Sequence, residues 1–99
     1  MSQQKGRSNE PLLYRLVIKA SAAKELEAIG QKTDRLRLVA CIQLLATQPK
    51  PVGVEKLSGQ LDLYRIRVGN YRVVYEIDNG HIVVTVIKVG HRKEIYISF

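Results

Sequence analysis

Between Leu63 and Ile77 the chain encodes a β-hairpin whose register can be written down residue by residue. Two runs rich in β-branched and aromatic residues, Leu63–Val68 and Tyr71–Ile77, are separated only by Gly69-Asn70. A two-residue, glycine-containing turn between such runs is a strong hairpin signal, and its length fixes which residues face each other. Val68 then pairs with Tyr71, Arg67 with Arg72, Ile66 with Val73 and Tyr64 with Tyr75. Side chains alternate along a strand, so Tyr64, Ile66, Val68, Tyr71, Val73 and Tyr75 share one face. Arg65, Arg67 and Arg72 share the other.

The rest of the chain supplies what that hairpin packs against. Alternation from Tyr14 to Ile18 reads as a short strand. Ser21 is placed as a helix N-cap, Ala22, Leu26 and Ile29 follow at helical spacing, and Gly30 ends the helix. A second helix is expected after Thr33 and runs to about Thr47, with Leu38, Cys41, Ile42 and Leu45 on its apolar stripe. Arg35 and Arg37, near its start, read as solvated or partner-facing. Pro49 and Pro51 stop it, and a loop through Lys56 and Gly59 leads to Asp62. A further strand, Ile82–Val89, follows the turn Asp78-Asn79-Gly80. Its apolar run, with almost no alternation, suggests a central strand covered on both sides. The expected fold class is α+β. A strand and a helical hairpin precede a three-stranded antiparallel meander, with the helices on one face of a small sheet.

At 99 residues, 45% hydrophobic and 25% charged, the chain suits one globular domain. That domain is expected over 11–99, behind a flexible basic arm of residues 1–10 (MSQQKGRSNE). A lone Cys41 can form neither an internal disulfide nor a cysteine-based metal cage, and neither metal nor cofactor is expected. No apolar stretch reaches the roughly 20 residues that span a bilayer, and the polar N-terminus has no secretory apolar core. A cytoplasmic protein with no membrane association is expected. Sixteen Lys plus Arg against nine Asp plus Glu leave a net charge of +7, an excess that favours polyanions, nucleic acid first.

The hairpin gives that charge a location. Three guanidiniums on one sheet face repel one another, and like charges directly opposite across strands destabilise a sheet. The arrangement makes sense where an external anion such as a phosphodiester completes it. The last strand runs back toward Gly69, so His91, Arg92, Lys93 and Tyr96 are expected to emerge beside the arginine face. Cations for phosphate and a ring for stacking make a plausible RNA site, to which Lys56 can add a charge. His81, at the opposite end of the meander, is expected to be exposed and uninvolved.

From about Tyr14 to Tyr96 these residues resemble the RelE/ParE superfamily of bacterial toxins. The resemblance is carried by LYRIRVGNYRVVYEI (63–77) and IKVGHRKEIY (87–96), supported by KPVGVEKLSG (50–59). RelE-like members bind the ribosomal A site and cleave messenger RNA, and a cognate antitoxin encoded beside them neutralises them. ParE-like members share the fold but inhibit DNA gyrase. The resemblance thus implies a metal-independent endoribonuclease toxin, partnered by the ribosome, by mRNA and by an antitoxin in a heteromeric complex. The positions matching the family's functional residues are Arg65, Arg67, Arg72, Arg92 and Tyr96. In the implied reaction the RNA's own 2′-hydroxyl attacks the phosphodiester. Arg72 and Arg92 stabilise the phosphorane, Arg65 and Arg67 hold the backbone and scissile phosphate, and Tyr96 stacks on a base or steers the 2′-hydroxyl.

One departure stands out. The best-known enzyme of the family has lysines where this chain has Arg65 and Arg67, and arginine effectively cannot act as a general base. His91 is the obvious titrating group for that role, with Tyr96 and Glu94 as others. A ParE-like gyrase inhibitor and a non-catalytic basic nucleic-acid-binding module remain open as alternatives.

Overall fold

The computed structural model describes residues 13–57 and 62–93. The elements run β1 (Arg15–Ile18), α1 (Ala20–Glu27), α2 (Lys32–Leu44), β2 (Glu55–Lys56), β3 (Leu63–Val68), β4 (Tyr71–Asp78) and β5 (Val83–His91). The strands form one sheet in the order β1-β5-β4-β3-β2. β3, β4 and β5 make the expected antiparallel meander, with β2 antiparallel at one edge. β1 lies parallel to β5 at the other edge, and the intervening helices provide the crossover a parallel pair requires.

Both helices press on one face of this sheet. Ala22 and Ile29 from the α1 region and Leu38, Ile42 and Leu45 from the α2 region join Tyr64, Ile66, Val68, Val73, Tyr75, Ile77, Val84, Val86 and Val89 in one buried core. Full burial of each such aliphatic side chain is worth about 1.5–3 kcal/mol, which outweighs the indifferent local propensity of these short helices. The β3–β4 register is the one the turn dictates: Val68 opposite Tyr71, Arg67 opposite Arg72, Ile66 opposite Val73, Tyr64 opposite Tyr75. Gly69 takes φ +62°, the left-handed conformation such a turn demands.

Several boundaries differ from expectation. α1 begins at Ala20 with Lys19 as its N-cap and no side-chain cap, so Ser21 lies inside the helix rather than capping it. α2 is shifted earlier and ends at Leu44. Arg35 is half-buried, and its Nη1 donates to the Ile29 carbonyl at 2.6 Å, tying α2 to the end of α1. The loop after Pro51 contains the two-residue strand β2. β5 starts at Val83 because Ile82 has φ +57°, outside the extended region.

The strand covered on both faces is β4, the middle of the sheet, through Val73, Val74 and Tyr75. The apolar run of β5 has another cause. Val74 pairs with Lys88 but Tyr75 with Val86, so Ile87 is an extra residue in a bulge. The bulge resets the alternation, allowing Val84, Val86 and Val89 all to face the helices.

Candidate active site

The face of β3 and β4 turned away from the helices carries Arg65, Arg67 and Arg72, as the hairpin register requires. With Gly53 and Glu55 these three line a cavity of about 270 Å³. Glu55 was not anticipated. It arrives on β2, directly opposite Arg65, and its Oε1 accepts from both Nε (3.0 Å) and Nη2 (2.8 Å) of Arg65. These hydrogen bonds hold the Glu55 carboxyl below its ordinary pKa, with the charges of Arg65, Arg72 and Arg67 acting in the same direction.

Arg72 sits deepest. Its Nη1 is buried and has no hydrogen-bond partner among the described residues. Desolvation lowers its pKa, and the charges of Arg67, Arg65 and Arg92 add to that effect while Glu55 opposes it. Nothing on the strand next to it relieves the crowding, because the residue opposite Arg72 on β5 is Gly90. An orphaned, partly desolvated guanidinium nitrogen beside two further arginines is a site arranged to receive an anion.

The chain then brings Arg92 to this end of the hairpin. The Arg92 N–H donates to the Asn70 carbonyl at 2.8 Å, holding the residue after β5 against the β3–β4 turn. From the other side Arg37 of α2 approaches the same turn, its Nη1 lying 3.5 Å from where a Cβ on Gly69 would stand. Arg65, Arg67, Arg72 and Arg92 are thus brought together. Lys93 is exposed nearby, and Tyr96 and Glu94 lie outside the described residues.

Two of the expected residues are elsewhere. His91 pairs with Tyr71, so it occupies the helix-facing side of the sheet and not the arginine face. Its ring meets that of Tyr71 edge-on at 5.6 Å. It lines a separate cavity of about 380 Å³ with Glu25 and Ile29. The bulge fixes this placement: by resetting the strand after Ile87 it sends Val89 and His91 toward the helices. Lys56 is likewise on the far face, opposite Tyr64, where its Nζ lies 5.8 Å above the ring and 3.7 Å from Asp62. His81 is exposed at the far end of the meander and pairs with Asp78.

The fold also has known relatives. Residues 16–96 match the family model described as the ParE toxin of the type II toxin-antitoxin system parDE. Toxin RelE of Mycobacterium tuberculosis is 32% identical over 87 residues, covering 84% of this chain and 86% of that protein. Among solved structures, the archaeal RelE–RelB complex from Pyrococcus horikoshii OT3 superposes with a TM-score of 0.74 at 31% identity, over 85% of this chain and 100% of that one. The isolated E. coli RelE toxin gives 0.68 at 32% identity, over 79% and 83% respectively. On the family match and these relatives, the chain belongs to the RelE/ParE superfamily and is a RelE-like toxin of the type II toxin–antitoxin class.

Proposed function

We propose that this toxin is a metal-independent mRNA endoribonuclease that acts in the ribosomal A site and is held inactive by a cognate antitoxin. The observation that carries the reading is the buried, orphaned Nη1 of Arg72, a residue that lines one cavity with Arg65 and Arg67. A phosphodiester supplies the missing acceptor, and the pentacovalent phosphorane formed by 2′-hydroxyl attack, with its additional negative charge, supplies it better. Binding that strengthens as charge develops is what accelerates a reaction. Arg72 and Arg92 stabilise the phosphorane, Arg65 and Arg67 position the scissile phosphate, and Lys93 adds backbone affinity. Lys56 acts at most on RNA passing the sheet edge. Tyr96 takes the stacking role the family resemblance implies. Relatives that are solved as RelE–RelB complexes support an antitoxin partner for this chain, and its site of action is the cytoplasm.

The test is translation of a defined message with purified protein, with cuts mapped by primer extension in the presence and absence of ribosomes. Ribosome-dependent cuts that disappear in Arg72→Ala and Arg92→Ala, both still folded, support the reading. Folded variants that still cleave refute it. The matching ParE family model makes gyrase inhibition the competing outcome, which a supercoiling assay on the same preparation detects.

A further inference from the structure

Among the described residues the arginine cavity contains one carboxylate, Glu55, and this residue resolves a difficulty in the chemistry just proposed. Attack by a 2′-hydroxyl requires a group to take its proton. The arginines cannot do so, because a guanidinium stays protonated in proteins. His91 faces the helices, and Tyr96 and Glu94 lie outside the described residues. We infer that Glu55 is the proton acceptor of the cleavage reaction, an inference that rests on the nuclease reading above.

The geometry suits the role in three respects. Both hydrogen bonds from Arg65 go to the same oxygen, Oε1, and among the described residues no hydrogen bond engages Oε2. One oxygen therefore anchors the carboxylate at the cavity wall, and the other has no hydrogen bond among the described residues. The cavity is also the place where Arg67 and Arg72 would hold the phosphate, and the 2′-oxygen of RNA is one ribose carbon away from that phosphate's 3′-oxygen. Finally, Glu55 stands on a short strand pinned to β3 by backbone pairing, so it is positioned by the sheet and not by a free loop.

In the step itself, Oε2 accepts the 2′-hydroxyl proton as the 2′-oxygen forms a bond to phosphorus. The bond from phosphorus to the 5′-oxygen breaks, and that oxygen takes a proton from solvent water. The products are a 2′,3′-cyclic phosphate and a 5′-hydroxyl, and Glu55 returns its proton to solvent. No oxidant, reductant or further reactant is consumed. The charged groups facing Glu55 are Arg65 and Arg67 from β3 and Arg72 from β4. All are cationic, so they keep the acceptor ionised well below neutral pH.

Glu55 could instead serve only to hold Arg65 in place, and Glu55→Gln separates the two roles. Its amide oxygen still accepts from Arg65, but the side chain can no longer take a proton. Cleavage of ribosome-bound message by Glu55→Gln is expected to fall by about 10²–10⁴-fold. Binding of an uncleavable 2′-deoxy message should be equal or tighter, since a negative charge has left the site. The wild-type rate should stay level from pH 8 down to about 5.5, below the ordinary histidine range near 6.5. A Glu55→His variant should bring a new acid limb into that window. Glu55→Gln cutting within about threefold of wild type overturns the inference. So does a wild-type acid limb between about pH 6 and 7, the signature of a histidine base. Wild-type protein that cuts nothing removes the nuclease reading itself and this inference with it. That result is distinct from a wild type that cuts beside an equally active Glu55→Gln.

Discussion

Arg67 and Arg72 stand directly opposite each other in the β3–β4 pair, two guanidiniums facing the same side of the sheet one residue pair back from the turn. Opposed like charges cost a sheet several tenths of a kcal/mol, and Arg72 is further strained by its desolvation. Arg67→Thr should therefore stabilise the free protein by about 0.5 kcal/mol while weakening its hold on RNA. Urea unfolding beside a salt series of RNA binding measures both. The expected pattern is a higher unfolding midpoint together with a shallower salt dependence.

At the other face, Glu25 performs a purely structural task. Beyond Ile18 the edge of β5 has no partner strand among the described residues, and the Glu25 carboxylate bonds to that edge. It accepts from the Val89 N–H and from Lys88 Nζ, both at 2.9 Å. Glu25→Ala should cost about 1.5 kcal/mol, the low end for hydrogen bonds to a charged group, because the carboxylate stays partly solvated. Amide exchange at Val89 should quicken more than at Val84, because Val84 remains beside β1. Equal acceleration along β5 would mean that the carboxylate is not the anchor.

The hairpin is legible in the sequence because one local device, the Gly69-Asn70 turn, fixes every pairing from Leu63–Glu76 to Val68–Tyr71 without reference to the rest of the molecule. The face carrying Arg65, Arg67 and Arg72 followed from alternation alone. Helix starts were less legible. Ser21 has the chemistry of a cap, but α1 packs so that the chain already turns at Lys19, and burial of Ala22 and Ile29 decides the matter over local capping. His91 was misplaced for a similar reason. A bulge at Ile87 moves everything after it to the opposite face, and no residue in that apolar run announces the extra position. Glu55 was invisible because a two-residue strand is shorter than any periodicity, and its opposition to Arg65 exists only once β2 pairs with β3.

Tyr75 offers a test of the seam between the helices and the sheet. Its ring is wholly buried against Tyr64, and its hydroxyl donates to the Pro49 carbonyl at 2.7 Å. That bond ties the end of the α2 region to the middle strand. Burial raises the hydroxyl's pKa above the ordinary tyrosine range, so it remains a donor wherever the fold persists. Tyr75→Phe keeps the packing but strands the carbonyl, and should lower stability by about 1–2 kcal/mol. Thermal unfolding reads this directly. Alkaline titration of the folded protein should show Tyr75 ionising only together with unfolding.

Glu55 also makes a prediction about acid stability that is independent of catalysis. Its carboxyl is held below its ordinary value of 4.5, first by hydrogen bonds from Arg65 and then by the surrounding cations. A depressed folded-state pKa contributes stability that is complete above the unfolded value and lost as pH falls through the folded one. The contribution is modest, because the Glu55 side chain is 61% exposed. Glu55→Gln lacks it altogether. The wild-type advantage in melting temperature should accordingly be constant from neutrality down to about pH 5 and shrink below about 4.5. Asp78, depressed chiefly by the His81 N–H, titrates below its ordinary 3.8 in both proteins and cancels in the comparison. A difference that instead grew on acidification would mean that Glu55 is held neutral in the fold, and would remove the ion pair on which its placement depends.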